Sequence, residues 1–245
     1  MPPSPLAARD VSVRAGLAFS LDMTRRLFAA LDVYHDTTPR SAALNMAIDE
    51  ALLEQASSPS IRFYRWDHPA LSFGYFGKFA DVVSYAAQRD LVRRWTGGGI
   101  VFHGDDLTYS IVVPATSGFF STSSNSIYAA IHSALCDALK ANGAAAALAP
   151  DNSSKISDAC FANPILADVM VNGLKVAGAA QRRARLGLLQ QGSIRDVDLR
   201  NGLADQFATE LSEMRNQRSL DKVLIRHAHK IAEQKYGTTS WLQRR

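Results

Sequence analysis

The sequence is poor in cysteine: Cys136 and Cys160 are the whole complement. Two cannot form a disulfide framework, and no cleavage site follows a proper apolar stretch near the start. Both therefore read as free thiols of a cytoplasmic protein without a signal peptide. No apolar run is long enough to cross a bilayer, which predicts no membrane span. There is no nucleic-acid-binding motif, although the net charge is +4. From Met214 to Arg245 eight Lys/Arg face only Asp221 and Glu233, a balance of +6, so the rest of the chain stands at −2. The basicity belongs to a tail that is either solvated or docks an acidic partner. No internal repeat is visible. What remains is 245 residues with 47% hydrophobic and 20% charged content, which suits one ordinary globular domain with a sizeable core.

The most informative stretch runs from Arg93 to Ser110. Thr96 is followed by Gly97, Gly98 and Gly99, with Arg93 and Arg94 before them and His103 after. Three contiguous glycines let a ligand lie on the backbone. No Gly-Lys-Ser/Thr follows, so this is no P-loop, and contiguous glycines without a following helix make no dinucleotide fingerprint. Leu107 to Val113 alternates like a half-buried strand. The reading is strand, glycine loop, strand, with two cations at the mouth, able to hold a carboxylate, a phosphate or a thioester oxygen.

Residues 1–22 read as a disordered or loosely attached extension, with Met23 a candidate start, and 23–245 as a single domain. A strand is expected over Leu27 to Val33. Thr38-Pro39 can start a helix over about Ser41 to Gln55, with Leu44, Ile48, Ala51 and Leu52 as its stripe. That helix reads as ordinary and amphipathic, with no role for Asp49 or Glu50. Ile61 to Trp66 and Ala70 to Tyr75 read as strands around a turn. Phe73, Tyr75 and Phe76 suit either an acyl pocket or core packing. A second helix is expected from Ser126 to Ala141, closed by Gly143. His132 and Cys136 on it read as structural, since two ligands make no metal site. Ala144 to Ser157 reads as an alanine run and a polar loop. Asn172-Gly173 predicts a hairpin turn. Lys175 opens the returning strand among Leu174, Val176, Ala177 and Gly178, and a cation so placed is paired or functional. Leu186 to Ile194 reads as a strand. Two helices, about Gly202 to Asn216 and Ser219 to Tyr236, close the chain; Leu220, Val223, Leu224, Ala228 and Ile231 form the second one's stripe, and Trp241-Leu242 anchors the tail.

Arg-Arg-x-Thr-Gly-Gly-Gly-x-Val-x-His followed by Asp-Leu-Thr-x-Ser resembles the signature of the lipoate–protein ligase and octanoyltransferase family. Leu44 to Leu53 is similar to that family's first helix. Arg62 to Trp66 and Leu71 to Tyr75 are similar to its opening strands, with Gly74 bordering the ligand. Gly173 to Arg183 resembles its lysine motif, and Cys160-Phe161-Ala162-Asn163-Pro164 resembles the cysteine box of one octanoyltransferase branch. Two places depart from the pattern: Phe76 and Gly77, followed by Lys78, stand where a Gln is common, and Gln191 stands where a His often precedes Gly-Ser.

The resemblance implies an α+β fold with a mixed, mostly antiparallel sheet flanked by helices, like the biotin/lipoate protein ligase catalytic domain. It implies that octanoyl or lipoyl groups pass from octanoyl-acyl-carrier protein, through an acyl-Cys160 thioester, to a lysine of a lipoyl-domain protein such as the glycine cleavage H protein or a dehydrogenase E2 subunit. Cys160 and Lys175 are its implied catalytic residues. Arg94, Thr96, Gly97, Gly98, Gly99, His103, Gly74, Gly178, Ala180, Gln181 and Ser193 are its implied substrate-binding residues. A thiolate near Lys and Arg would be favoured and would accept an acyl group from a thioester at little cost. This reading needs no cofactor and no metal. The alternatives are an ATP- and Mg2+-dependent lipoate ligase forming lipoyl-AMP, and a non-catalytic protein that binds lipoyl domains or acyl groups.

Overall fold

The structure is a computed structural model that describes residues 26–150, 165–200 and 202–244. The expectations for residues 1–22 and for the segment from Cys160 to Pro164 lie outside the described residues. Eleven strands are described: β1 (Leu31–Arg40), β2 (Ser60–Trp66), β3 (Ala70–Phe73), β4 (Asp90–Arg93), β5 (Val101–His103), β6 (Leu107–Pro114), β7 (Ala146–Leu148), β8 (Val169–Val171), β9 (Leu174–Ala184), β10 (Gly187–Ile194) and β11 (Arg215–Arg218). Five helices accompany them: α1 (Ala42–Gln55), α2 (Ser124–Ala141), α3 (Leu203–Leu211), α4 (Lys222–Ile231) and α5 (Thr239–Leu242).

Eight strands form one sheet in the order β11-β1-β2-β6-β10-β9-β8-β7, and β4-β3-β5 form a second. In the large sheet β1 is parallel to both neighbours and every other pairing is antiparallel. This is the mixed, mostly antiparallel α+β architecture expected. Ile61, Ile111, Val113 and Leu188 meet Ile127, Ile131 and Leu135 of α2 and Phe207 of α3 on one face. Tyr64, Val112 and Leu189 meet Met46 and Leu53 of α1 on the other, and Leu224 and Ala228 of α4 close over α1 from outside. With both faces covered, all eight residues of β6 are buried, not half of them. Likewise Asn45 through Leu53 of α1 are buried all round, while Leu44 of the expected stripe is only partly so. Among the described residues no helix is long and apolar enough to cross a membrane.

Several boundaries moved for physical reasons. β1 runs on through Thr38-Pro39, where its register to β2 jumps between Asp36 and Arg40, a place where a missing proline N–H costs no ladder bond. Ser41, not Thr38, caps α1. β2 and β3 belong to different sheets and do not pair. The alanine run contains β7, which pairs with β8. The expected helix to Asn216 ends at Leu211, and β11 instead extends the edge of β1 in parallel. Its four residues are all exposed, so no apolar pattern announced a strand. Val223 of the expected α4 stripe is 65% exposed. The turn held: Asn172 (φ 50°) and Gly173 (φ 80°) are both left-handed, as the hairpin from β8 to β9 requires.

Candidate active site

The glycine loop joins β4 to β5, and both strands pair with β3 rather than with each other. Its arginines lie beneath it, not at a mouth. Arg94 donates from Nη2 to the carbonyls of Gly97 (3.0 Å) and Gly99 (2.8 Å), and from Nη1 to Ser72 Oγ (2.7 Å). Arg93 spends its donors on the carbonyls of Tyr75, Gly77, Trp241, Leu242 and Arg244. Trp241 Nε1 returns a bond to the Arg93 carbonyl, which anchors the tail as expected. Gly98 has φ +83°, which favours glycine. A Cβ on Gly74 would collide with the Gly98 carbonyl oxygen, so Gly74 seats the loop.

Between the two sheets lies an open cleft, about 440 Å3 with the solvent space at its opening included. Met46, Val101, Ala180 and the rings of Tyr64 and Trp66 give it apolar walls; Ser72, Arg94, His103, Thr108, Gln191 and Ser193 supply polar ones; the backbone of Gly98, Gly178, Ala179 and Gly192 completes it. Phe73 instead packs in the core of the small sheet and Phe76 is 83% exposed, so neither walls this cavity.

The polar wall centres on Asp106. It accepts from His103 Nδ1 (2.7 Å), Thr108 Oγ1 (2.9 Å), Ser193 Oγ (2.6 Å) and the Gly104 N–H (3.1 Å). Burial pulls the carboxyl upward, but His103 and these hydrogen bonds outweigh it and hold it well below the usual carboxylate range. His103 is itself lowered from the ordinary imidazole value, because burial disfavours its cation more than Asp106 favours it. Its Nε2 faces Ser72 Oγ at 2.7 Å, and Trp66 stacks on the ring at 4.1 Å.

Beside Gly178 stands a second buried carboxylate. Asp168 pairs with Lys175 Nζ at 2.8 Å, and accepts from Tyr128 OH (2.5 Å) and the Ile165 N–H (2.8 Å). A Cβ on Gly178 would fall 2.7 Å from Lys175 Cε and 2.9 Å from Nζ, so the glycine makes room for that ammonium.

The departure at Gln191 is also explained. Its amide oxygen accepts from Thr96 Oγ1 (2.9 Å) and its nitrogen donates to Asp49 Oδ2 (2.7 Å). Asp49 further accepts from Arg62 (2.9 Å), Tyr64 OH (3.0 Å) and Ser110 Oγ (2.7 Å). The acidic residues of α1 are thus not idle: Asp49 is a buried hub, and Glu50 holds Lys235 and Tyr236. An amide has no basic nitrogen, so Gln191 cannot take up a proton, whereas His103 is an imidazole in the cavity wall.

Arg94, Gly98, His103, Gly178, Ala180 and Ser193 come together around the cavity. Thr96, Gly97 and Gly99 sit in the loop above it, and Lys175 sits behind Gly178. Gln181 is bonded to Gln190 (2.7 Å) on the opposite face of the sheet. Cys160 lies outside the described residues. Asp106, Asp168, Ser72, Trp66 and Met46 were not singled out; Asp168 alone carried a signal, since a buried lysine calls for a partner. His132 bonds Ala167 O and Tyr109 OH, and Cys136 is buried, its thiol pushed up to about 11. Among the described residues no three His, Cys, Asp or Glu side chains stand together as a metal site would need.

The model of the lipoyl protein ligase A/B catalytic domain matches residues 41–234. Octanoyltransferase LipM of Oceanobacillus iheyensis is 36% identical over 213 residues, covering 82% of this chain and 78% of the relative. Octanoyltransferase LipM of Staphylococcus aureus is 35% identical over 189 residues, covering 70% and 68%. The solved bi-partite lipoate protein ligase of Thermoplasma acidophilum superposes with a TM-score of 0.64 at 20% identity, covering 89% of this chain and 96% of that one, a likeness of fold. The chain belongs to the lipoyl protein ligase A/B catalytic domain family.

Proposed function

We propose that this protein transfers octanoyl groups, or lipoyl groups, to a lysine of lipoyl-domain proteins. The observation that carries the reading is the cavity between the sheets: its apolar walls suit a medium acyl chain, and a buried ammonium stands beside it behind Gly178. The likeness to octanoyltransferases supports the transferase over the ATP-dependent ligase, so no ATP is required. The donor is octanoyl-acyl-carrier protein, the acceptor an H protein or E2 lipoyl domain, and the setting the cytoplasm. A single catalytic domain from residue 23 to 245 is part of the same reading.

In the first step the Cys160 thiolate attacks the donor's thioester carbonyl. A new carbon–sulfur bond forms, the old one breaks, and the donor leaves as a thiol once protonated. In the second step the acceptor lysine's neutral amine attacks acyl-Cys160. The amide forms, and the amine's proton returns to the cysteine sulfur. Lys175, held by Asp168, offers N–H groups to the oxyanion of both steps, together with the backbone of the glycine loop. Arg94, Thr96 and Gly74 set that loop's shape, and Gly178, Ala180 and Ser193 border the chain.

The test is intact-protein mass spectrometry after incubation with octanoyl-acyl-carrier protein, without ATP, for the wild type and Cys160→Ala. An octanoyl adduct on the wild type that the variant lacks is expected. Absence of the adduct, with lipoyl-AMP formed from ATP and lipoate, would replace the transferase by the ligase.

A further inference from the structure

Ser72, His103 and Asp106 form a chain of 2.7 Å contacts in the wall of this cavity. Asp106 is ionised and accepts from His103 Nδ1, which fixes the imidazole proton on that nitrogen. Nε2 therefore holds a lone pair, and the Ser72 hydroxyl is the group that donates to it. The other side enforces the same order. Arg94 Nη1 can only donate, and it donates to Ser72 Oγ, so the serine's own hydrogen is left for His103. A hydroxyl bonded to the acceptor nitrogen of an imidazole, itself oriented by a carboxylate, is the arrangement that makes an alcohol nucleophilic. The guanidinium beside Oγ stabilises negative charge as it develops there. Ser72 sits on the regular strand β3, in Ala70-Leu71-Ser72-Phe73-Gly74, which lacks the Gly-x-Ser-x-Gly of a nucleophile elbow. The geometry and not a motif points to it.

We propose that Ser72, activated by His103 and Asp106, is a second acyl-accepting nucleophile of this pocket, one that takes a medium-chain acyl group as an oxygen ester. The proposal rests on the reading that the cavity holds an acyl chain. Ser72 Oγ bonds to the thioester carbonyl carbon and its proton moves to His103 Nε2. The carbon–sulfur bond breaks, and the leaving sulfur takes the proton from His103 to become a thiol. Water or an acceptor amine reverses the process: it attacks the ester carbon, gives a proton to His103, and Ser72 Oγ recovers that proton as the ester bond breaks. Ser72 is buried at the cavity floor, so the ester is reached poorly by water and is long-lived.

The test uses p-nitrophenyl octanoate with the full chain: wild type, Cys160→Ala, Cys160→Ala/Ser72→Ala and Cys160→Ala/His103→Gln. Peptide mapping locates octanoyl groups before and after neutral hydroxylamine, which cleaves thioesters and spares oxygen esters. Cys160→Ala is expected to keep a hydroxylamine-resistant octanoyl group on Ser72 and to release nitrophenolate. The Ser72→Ala variant loses both, and His103→Gln slows acylation by about 10^2- to 10^4-fold. Because Ser72→Ala strips partners from Arg94 and His103, the mapping in Cys160→Ala, which keeps Ser72, is decisive alone. No octanoyl group on Ser72, with nitrophenolate release unchanged by Ser72→Ala, overturns the proposal and leaves Cys160 untouched. A wild type that carries only the hydroxylamine-resistant group overturns Cys160 and leaves Ser72 standing.

Discussion

Asp106 and Asp168 are both buried, both receive a hydroxyl, and both adjoin the same cavity, yet they hold different partners. Asp106 faces an imidazole whose cation is disfavoured by burial, so it keeps a neutral group in one tautomer. Asp168 faces an ammonium only 2% exposed, so it pairs with a buried charge. One end of the site is a charge next to a dipole; the other is an ion pair. The same substitution should therefore have unequal effects at the two ends.

The largest effect is expected at the ion pair. Asp168→Asn leaves the Lys175 ammonium buried without its carboxylate, which costs about 3–5 kcal/mol, read from urea unfolding. Adding Lys175→Met removes that charge and should recover most of that loss, a coupling visible in a double-mutant cycle. Octanoyl transfer should stay lost in both variants. If Asp168→Asn unfolds like the wild type, Lys175 does not depend on the carboxylate and the contrast between the two ends fails.

Acid should show the neutral side of the comparison, with an effect of middle size. His132, on the far face of the sheet, is lowered to about 4 by burial, which its bond to Ala167 O only partly offsets. Its folded pKa lies below the unfolded value, so the unfolded chain takes up the proton first as pH falls. The stability it contributes is present above about 6.5 and is lost progressively down to about 4. The loss is about 3 kcal/mol at 1.36 kcal/mol per pH unit. His132→Gln should flatten urea midpoints across that window by about this much. An unchanged slope would mean that His132 takes up its proton as readily in the folded as in the unfolded chain, and the argument that burial keeps histidines here neutral would fall.

What the sequence disclosed and what it hid follow from the range of the interactions. The glycine loop and the Asn172-Gly173 turn are local: their residues demand special backbone, and the demand is written in adjacent letters. The sheet order is partly local too, since β6, β9 and β10 are patterned. β11 was hidden, because four exposed polar residues join the sheet by backbone alone. The site was legible where a motif is contiguous, as at Arg94 to His103 and Lys175 to Ala180. It was illegible where partners are far apart: Asp106 meets Ser193 across 87 positions and Asp49 meets Gln191 across 142. Arg94 was misread in place, because nothing local says that its donors turn inward to carbonyls three and five residues ahead.

The smallest effect, and the sharpest test of the comparison, is expected from Asp106→Asn. No charge is stranded, since His103 is neutral. The asparagine oxygen, placed where Oδ2 was, can still accept from Nδ1–H, Thr108 and Ser193, while its amide nitrogen faces the Gly104 N–H, which formerly donated to Oδ1. The cost is therefore near that of one impaired hydrogen bond, about 1–2 kcal/mol in urea unfolding. A cost equal to that of Asp168→Asn would mean that His103 is an imidazolium and that both ends are ion pairs. At the expected cost, the Ser72 octanoyl ester reports the tautomer. If the amide nitrogen turns to Nδ1, the imidazole proton moves to Nε2, which can then no longer take the proton of Ser72. The hydroxylamine-resistant group should then vanish from a protein that remains folded.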